Sequence, residues 1–488
     1  MYFYLVQINF FNLNFYMYYN CYMFIKCHGA YLGFTGFNHH TRGFFRSLSK
    51  HAKVYVRNFT LDAKLDSYLN DLDKQILSEQ TLWSNFKNDR IWSDFPLPWN
   101  STYLDNDTGE KIHLITAENN HLYFYDEYYG PKIALTMWES DTYDINFLNK
   151  LKTYDNNIVL TKWQKECLIK QGLDESKIDI IHEGIESDCF PIVQEKSDKF
   201  KFFLAGKWGF RKSTREIIEC FLKTFSHVDD VELHISIDNH YPIWVPASER
   251  LKKYNLYSPK IIVHNFPDRR VYLNLLKNSH VFLSCSRGEG WNIPLAEAFA
   301  CGIPGIYSKG SGQVEFAGEY PLGVDILKKI PAYHEEDQYF ADGCVDEPNF
   351  EMLSEVIMES YKNYSMYKKI HVEKAHDFIN KYSWNKVSKD LYDVINKRYG
   401  STQFNNQGYI KFHKFSDDSN FVLFSQDYFD SCKVYVEIKN ENGEVCFFDD
   451  LTIIKNIEYW FGAHFTGKKT FTIYNSNKTI VMFQITSI

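Results

Sequence analysis

The chain has 488 residues, too many for one hydrophobic core, so two or three domains are expected. Hydrophobic residues make up 44% and charged residues 24%, the profile of a globular chain rather than a disordered or fibrous one. A formal net charge of −8 argues against nucleic acid as a partner, while leaving room for a local phosphate pocket.

The first residues, MYFYLVQINFFNLNFYMYYNCY, are apolar and aromatic, but Gln7, Asn9, Asn12, Asn14 and Asn20 interrupt them. They lack a basic n-region and a small-residue cleavage site, and no run approaches the ~20 apolar residues a spanning helix needs. Residues 1–22 are therefore read as a leader or extension, with a peripheral membrane contact as the minority reading. The ten cysteines form no C-x-x-C pair and no zinc-spaced cluster, which favours a reducing, cytoplasmic compartment.

Residues 23–195 alternate short apolar runs with helical stretches. MFIKC, AKVYVRNF, KIHLITAEN, KIALTMW, NIVLT and IDIIHEG read as strands, and FFRSLSKH and WQKECLIKQG as helices. Residues 62–100 read as a helical insertion. A second α/β set occupies residues 196–378, with strands KFKFFLAG, VELHISID, KIIVHNF, HVFLSCS and IPGIYS. The pattern predicts two Rossmann-like lobes facing a cleft, with ligands outside the carboxyl ends of the strands. A late helical stretch, 379–399, follows. From 405 to 488 the texture changes to short strands joined by turns, an accessory module like a small β-sandwich.

The most informative segment is SRGEGWNIPLAEAFACGIPGIYSKGSGQVE, residues 286–315. It leaves an apolar strand through Gly288, Glu289 and Gly290. A helix led by Pro294 follows, and Cys301-Gly302 ends it. Free backbone N–H groups and the positive helix end would face the cleft, where a diphosphate or sugar hydroxyls could sit. Glu289 lies in the loop and Glu297 one turn into the helix, so one carboxylate can lie on each side of a ligand. Upstream, in FFLAGKWGFRKSTREIIE, Ser213 and Glu216 fit a capping box, S-x-x-E. Arg211 and Lys212 stand just before that helix start, and two cations with a helix dipole make an anion site.

This constellation resembles the Glu-x7-Glu signature of retaining GT-B glycosyltransferases, especially glycosyltransferase family 4, the group 1 glycosyltransferases. The match runs through Glu289-Gly290, Pro294-Leu295, Glu297-Ala298 and Ala300-Cys301-Gly302-Ile303-Pro304. The resemblance implies a GT-B fold and a nucleoside-diphosphate sugar as donor, with retention at the anomeric carbon. It places the ribose on Glu297 and the donor sugar by Glu289, with Trp291, Asn292 and Ile293 lining the sugar pocket beside Gly290. Gly206, Arg211 and Lys212 would hold the diphosphate. The Gly-rich stretch GFTGFNHHTRGFFRSL resembles the first loop of the acceptor lobe, with Gly36 the best match and His39, His40 and Arg42 as candidates for phosphate or acceptor contact. Asn265 and Phe266 fall where the base is usually met.

The chain departs from the family at residues 137–139. Where many members carry a histidine facing the sugar, it has Met137, Trp138 and Glu139. Glu139 could accept the acceptor's proton, or could cap the following helix. Trp138 could stack on an acceptor sugar or simply pack. Two D-x-D patterns, at Asp71–Asp73 and Asp105–Asp107, follow no convincing buried strand, so neither a metal nor another cofactor is expected. The acceptor would be a glycan, a lipid-linked saccharide or a protein. Another GT-B sugar-nucleotide enzyme of the epimerase kind, or a non-catalytic glycan-binding scaffold, are the rival readings.

Overall fold

A computed structural model describes residues 24–29, 31, 36–58, 112–116, 130–237, 245–265, 268–332 and 342–399, with backbone elements between 3 and 20 and between 409 and 486. The chain divides into two compact units, and the larger contains both lobes discussed below. The 62–100 insertion, both D-x-D patterns and Phe266 lie outside the described residues.

At the start, β1 (Phe3–Phe10) pairs antiparallel with β2 (Leu13–Asn20). The first lobe then runs through β3 (Phe24–Gly29), α1 (Gly36–Leu48), β4 (Lys53–Asn58), β5 (Ile112–Thr116) and β6 (Lys132–Thr136). It continues with α2 (Ile145–Thr153), β7 (Asn156–Val159), α3 (Lys162–Lys170) and β8 (Ile178–Ile180). Its six strands pair in parallel in the order β4-β3-β5-β6-β7-β8. Strands β5 and β7 are buried along their whole length, as a parallel sheet covered on both faces requires.

The second lobe begins with β9 (Phe200–Ala205), α4 (Thr214–Thr224), β10 (Val231–Ser236), α5 (Ala247–Lys253) and β11 (Ile261–Val263). Then come α6 (Arg269–Lys277), β12 (Val281–Ser284), α7 (Ile293–Ala300), β13 (Gly305–Ser308), α8 (Val314–Ala317) and β14 (Gly323–Val324). These six strands are also parallel, in the order β11-β10-β9-β12-β13-β14. The order reverses between β9 and β12, which opens a crevice at their carboxyl ends. Phe202, Leu204, Ile217, Ile218, Phe221, Leu283 and Ile306 form part of one buried cluster between this sheet and its helices. The hairpin β15 (Ile326–Pro331) and β16 (Cys344–Pro348) follows, then α9 (Phe350–Lys362), α10 (Tyr364–Tyr382) and α11 (Trp384–Tyr399). Asp144, Thr161, Asp268 and Asn349 each accept first-turn N–H groups, which fixes the starts of α2, α3, α6 and α9.

Helix α11 docks on the first lobe. Trp384 sits edge-on to Phe44, with ring centroids 5.0 Å apart. Arg398 donates to Asp179 at 2.6 Å, and Lys50 to Asn385 at 2.7 Å. The Trp384 indole is wedged between two glycines. A Cβ on Gly43 would lie 1.9 Å from its ring and one on Gly184 2.1 Å from it. Gly43→Ala therefore makes a test with opposed signs. Helix propensity alone would favour alanine by about 1 kcal/mol. The ring contact should override it and give a net loss of about 1–3 kcal/mol in urea unfolding, as overpacking does.

Among the described residues, the C-terminal part of the smaller unit holds seven strands. β17 (Tyr409–Ser416), β18 (Ser419–Ser425) and β21 (Tyr459–Ala463) make a three-stranded sheet. β19 (Ser431–Asn440), β20 (Val445–Ile454), β22 (Lys468–Asn475) and β23 (Lys478–Thr486) make a four-stranded one, in the order β20-β19-β22-β23. Every pairing between these strands is antiparallel.

Candidate active site

The loops leaving β9 and β12 flank the crevice of the second sheet. Beyond β9, Gly206 takes φ +129°, a conformation L side chains avoid, and its N–H donates to Ser236 O at 3.0 Å. The chain then turns through Arg211 and Lys212 to Ser213, the residue before α4. The expected capping box does not form. Ser213 is left-handed (φ +51°), its hydroxyl caps nothing, and Glu216 turns instead to Arg287 at 2.8 Å. A serine cap needs extended backbone to reach the first-turn N–H groups, and the left-handed turn denies it that reach.

Beyond β12, Glu289 is buried beneath those two cations. Lys212 Nζ lies 2.5 Å from its Oε1 and Arg211 Nη1 3.0 Å from its Oε2. Arg211 also donates to Gly288 O at 2.7 Å and reaches Glu139 of the first lobe at 3.0 Å. Burial works to raise the Glu289 pKa, but Lys212 and Arg211 outweigh it and hold the carboxyl below its ordinary value. Burial likewise lowers the Lys212 pKa, against the pull of Glu289. The loop is tightly seated. A Cβ on Gly288 would lie 2.2 Å from Glu139 O, so only glycine allows this approach between the lobes. Glu289 N donates to Ser311 Oγ at 2.9 Å, and Gly312 N to Glu289 O at 2.8 Å.

Helix α7 starts from Asn292, itself left-handed (φ +89°), whose side chain accepts from Leu295 N. Its amide also donates to Ser284 Oγ at 2.8 Å and Gln313 Oε1 at 2.7 Å, so it is committed to the framework. Trp291 is buried against Phe316, Tyr382 and His182. Its ring packs in the interior among these aromatic neighbours. Gly290 itself passes close to the Trp138 backbone and Gln164, and Ile293 begins the helix. Gly302, at φ +66°, closes α7 with a left-handed residue just past its end.

Glu297 lies a turn along α7, buried, with each oxygen engaged. Arg269 Nη1 donates to Oε1 at 2.5 Å and Tyr272 Oη to Oε2 at 2.9 Å. Burial raises its pKa, with Arg269 opposing. Arg269 and Tyr272 escaped the sequence reading. The only sign of them was the Asp268 cap that starts α6.

The first-lobe candidates divide. Gly36 is the first residue of α1, not a loop residue, and His39, His40 and Arg42 are all helical. The cause is an apolar face, with Phe44, Phe45 and Leu48 buried, that extends the helix back through the glycine-flanked stretch. His40 is tied to Glu183 at 2.5 Å in the interior. Burial lowers the His39 pKa, and Arg42, Arg269 and Arg46 add to this. Trp138 donates its indole N–H to Ser140 Oγ and Thr142 O, and stacks on Tyr143. Glu139 has a side chain 45% exposed, against 4% for Glu289, so it is the more accessible of the two carboxylates around Arg211. Asn265 is exposed after β11. Thus Glu139, Arg211, Lys212 and Glu289 form one group, with Gly206 beside it. Glu297 belongs to a second group with Arg269. No cluster of three or more metal-binding side chains occurs among the described residues, and no described helix is long and apolar enough to cross a membrane.

Two parallel-sheet lobes, with charged side chains gathered at the switch point of the second, define a glycosyltransferase fold of the GT-B class. Residues 246–326 match the family model described as glycosyl transferases group 1. Sucrose-phosphate synthase from Thermosynechococcus elongatus is similar in fold, with TM-score 0.54, 12% identity, and coverage of 78% of this chain and 100% of that one. HepE of Anabaena, solved in complex with UDP-glucose, gives TM-score 0.53 at 11% identity, over 77% of this chain and 100% of that one. In sequence, the "Probable sucrose-phosphate synthase" of Thermosipho melanesiensis is 24% identical over 231 residues, 46% of this chain and 48% of that protein. The chain spans about half the length of the curated relatives it matches.

Proposed function

We propose that this chain transfers a sugar from a nucleoside-diphosphate sugar to a glycan, lipid-linked or protein acceptor, with retention at the anomeric carbon. The observation that carries the reading is the convergence of Arg211, Lys212 and Glu289 at the switch point between β9 and β12. Two cations there, with the α4 N-terminus lacking a side-chain cap, suit a diphosphate. As the glycosidic bond breaks, negative charge grows on that diphosphate, and fixed cations stabilise it without having to reorganise. No metal is required for that task in this reading. Glu297 takes the ribose hydroxyls. Glu289 sets the two cations and stands beside the sugar. Glu139, accessible and at the lobe boundary, accepts the proton of the incoming hydroxyl.

The direct test is a thermal-shift and calorimetric panel of nucleoside diphosphates and their sugars, beginning with uridine because HepE was solved with UDP-glucose. A ligand at 100 times its Kd should stabilise the fold by about 2.7 kcal/mol. If no nucleoside diphosphate shifts the melting curve at any concentration, the donor-site reading is wrong.

A further inference from the structure

The Glu297 carboxylate and the stretch joining the two sheets are linked through one guanidinium. Asp188 lies in that stretch, between β8 and β9. Arg269 presents one edge of its fork to Asp188, with Nε 3.3 Å from Oδ2 and Nη2 2.9 Å from Oδ1. Its remaining nitrogen, Nη1, holds Glu297 Oε1. Lys277, at the other end of α6, donates to Asp188 O at 2.7 Å, so Asp188 is fixed at both backbone and side chain. On the far side of the carboxylate, Tyr272 holds Oε2. An ionised carboxyl offers about four acceptor positions, and these two donors leave two open. Two adjacent acceptor positions on neighbouring oxygens match the two vicinal hydroxyls of a ribose.

Resting on the donor-site reading above, we propose that Arg269, braced by Asp188, is a positioning residue that orients Glu297 so that its free lone pairs meet the ribose diol of the donor nucleotide. The planar fork is what makes this work. One guanidinium can serve two carboxylates along two edges at fixed angles, and a lysine ammonium cannot. Burial raises the Glu297 pKa, and Arg269 works against that rise. The role concerns only the nucleoside half of the donor. The diphosphate is held elsewhere, by Arg211 and Lys212.

Calorimetry with two probe types separates this role from a merely structural one. The probes are the tightest-binding of UDP, ADP and GDP, which carry the diol, and inorganic pyrophosphate, which does not. Arg269→Gln should lose about tenfold in nucleoside-diphosphate affinity while pyrophosphate affinity stays unchanged. The nucleoside-diphosphate loss should deepen on mild acidification, since the buried Glu297 carboxyl then keeps only the Tyr272 hydroxyl to favour its ionised form. Arg269→Lys should recover part of the affinity. Asp188→Asn, a milder change that leaves Arg269 in place, should show a smaller loss with the same selectivity. Equal losses for both probes, or no loss for the nucleotide, overturn the assignment. If the unaltered chain binds no nucleoside diphosphate, the donor-site reading itself falls, and this inference with it.

Discussion

Arg211→Ala is expected to weaken nucleoside-diphosphate binding by about 1.5–3 kcal/mol, the range for a hydrogen bond to a charged group. That is about tenfold to a hundredfold in Kd. The guanidinium spans Glu139, Glu289 and Gly288 O, so its removal also detaches the first lobe from the Glu289 loop at that point. Lys212 keeps its contact with Glu289, so the buried carboxylate is not left alone and the fold should survive. Because the Arg211 side chain is only 14% exposed, added salt should reduce the effect less than it would at an open surface pair. Calorimetry showing the same affinity in both proteins would remove Arg211 from the diphosphate site.

The parts of the site that were legible in the sequence are those built from one continuous run. Strand, Glu289 loop, Pro294-led helix and Gly302 stop follow one another within 22 residues of chain, from Val281 to Gly302, so spacing alone orders them. Arg211 and Lys212 were legible for the same reason, as they follow β9 directly. The errors came where a distant partner outcompeted a local one. Ser213 and Glu216 carry the letters of a capping box, yet Arg287, 71 residues away, takes Glu216. The Asp188–Arg269–Glu297 chain joins residues 81 and 28 apart, and only the folded lobe brings them together. The helix expected after Glu139 is α2, but Asp144 caps it and Glu139 does not, because Asp144 directly precedes its first turn. In α1 the reading began the helix at Phe44, whereas the structure begins it eight residues earlier, at Gly36.

Glu289→Gln is expected to separate turnover from binding. The amide keeps the shape but removes the negative charge lying beneath Arg211 and Lys212. Both cations then face an incoming diphosphate with less competition, so nucleoside-diphosphate affinity should hold or rise. Turnover should fall by about a hundredfold, as when one preorganised polar group is taken from a reacting centre. The same substitution has a pH signature. Glu289 has a folded pKa below its ordinary 4.5, so its ion pairs contribute stability above that value, lost as pH falls through the folded pKa. The unaltered chain should therefore lose stability more steeply than the glutamine variant as pH falls from neutral to well below 4.5, through the depressed folded pKa. Urea unfolding at the two ends of that range measures the difference. Identical slopes would mean that Glu289 gains nothing from Lys212 and Arg211. A parallel fall in turnover and nucleotide affinity would instead make Glu289 a binding residue, because an interaction formed only as the glycosidic bond breaks lowers kcat and leaves ground-state affinity alone.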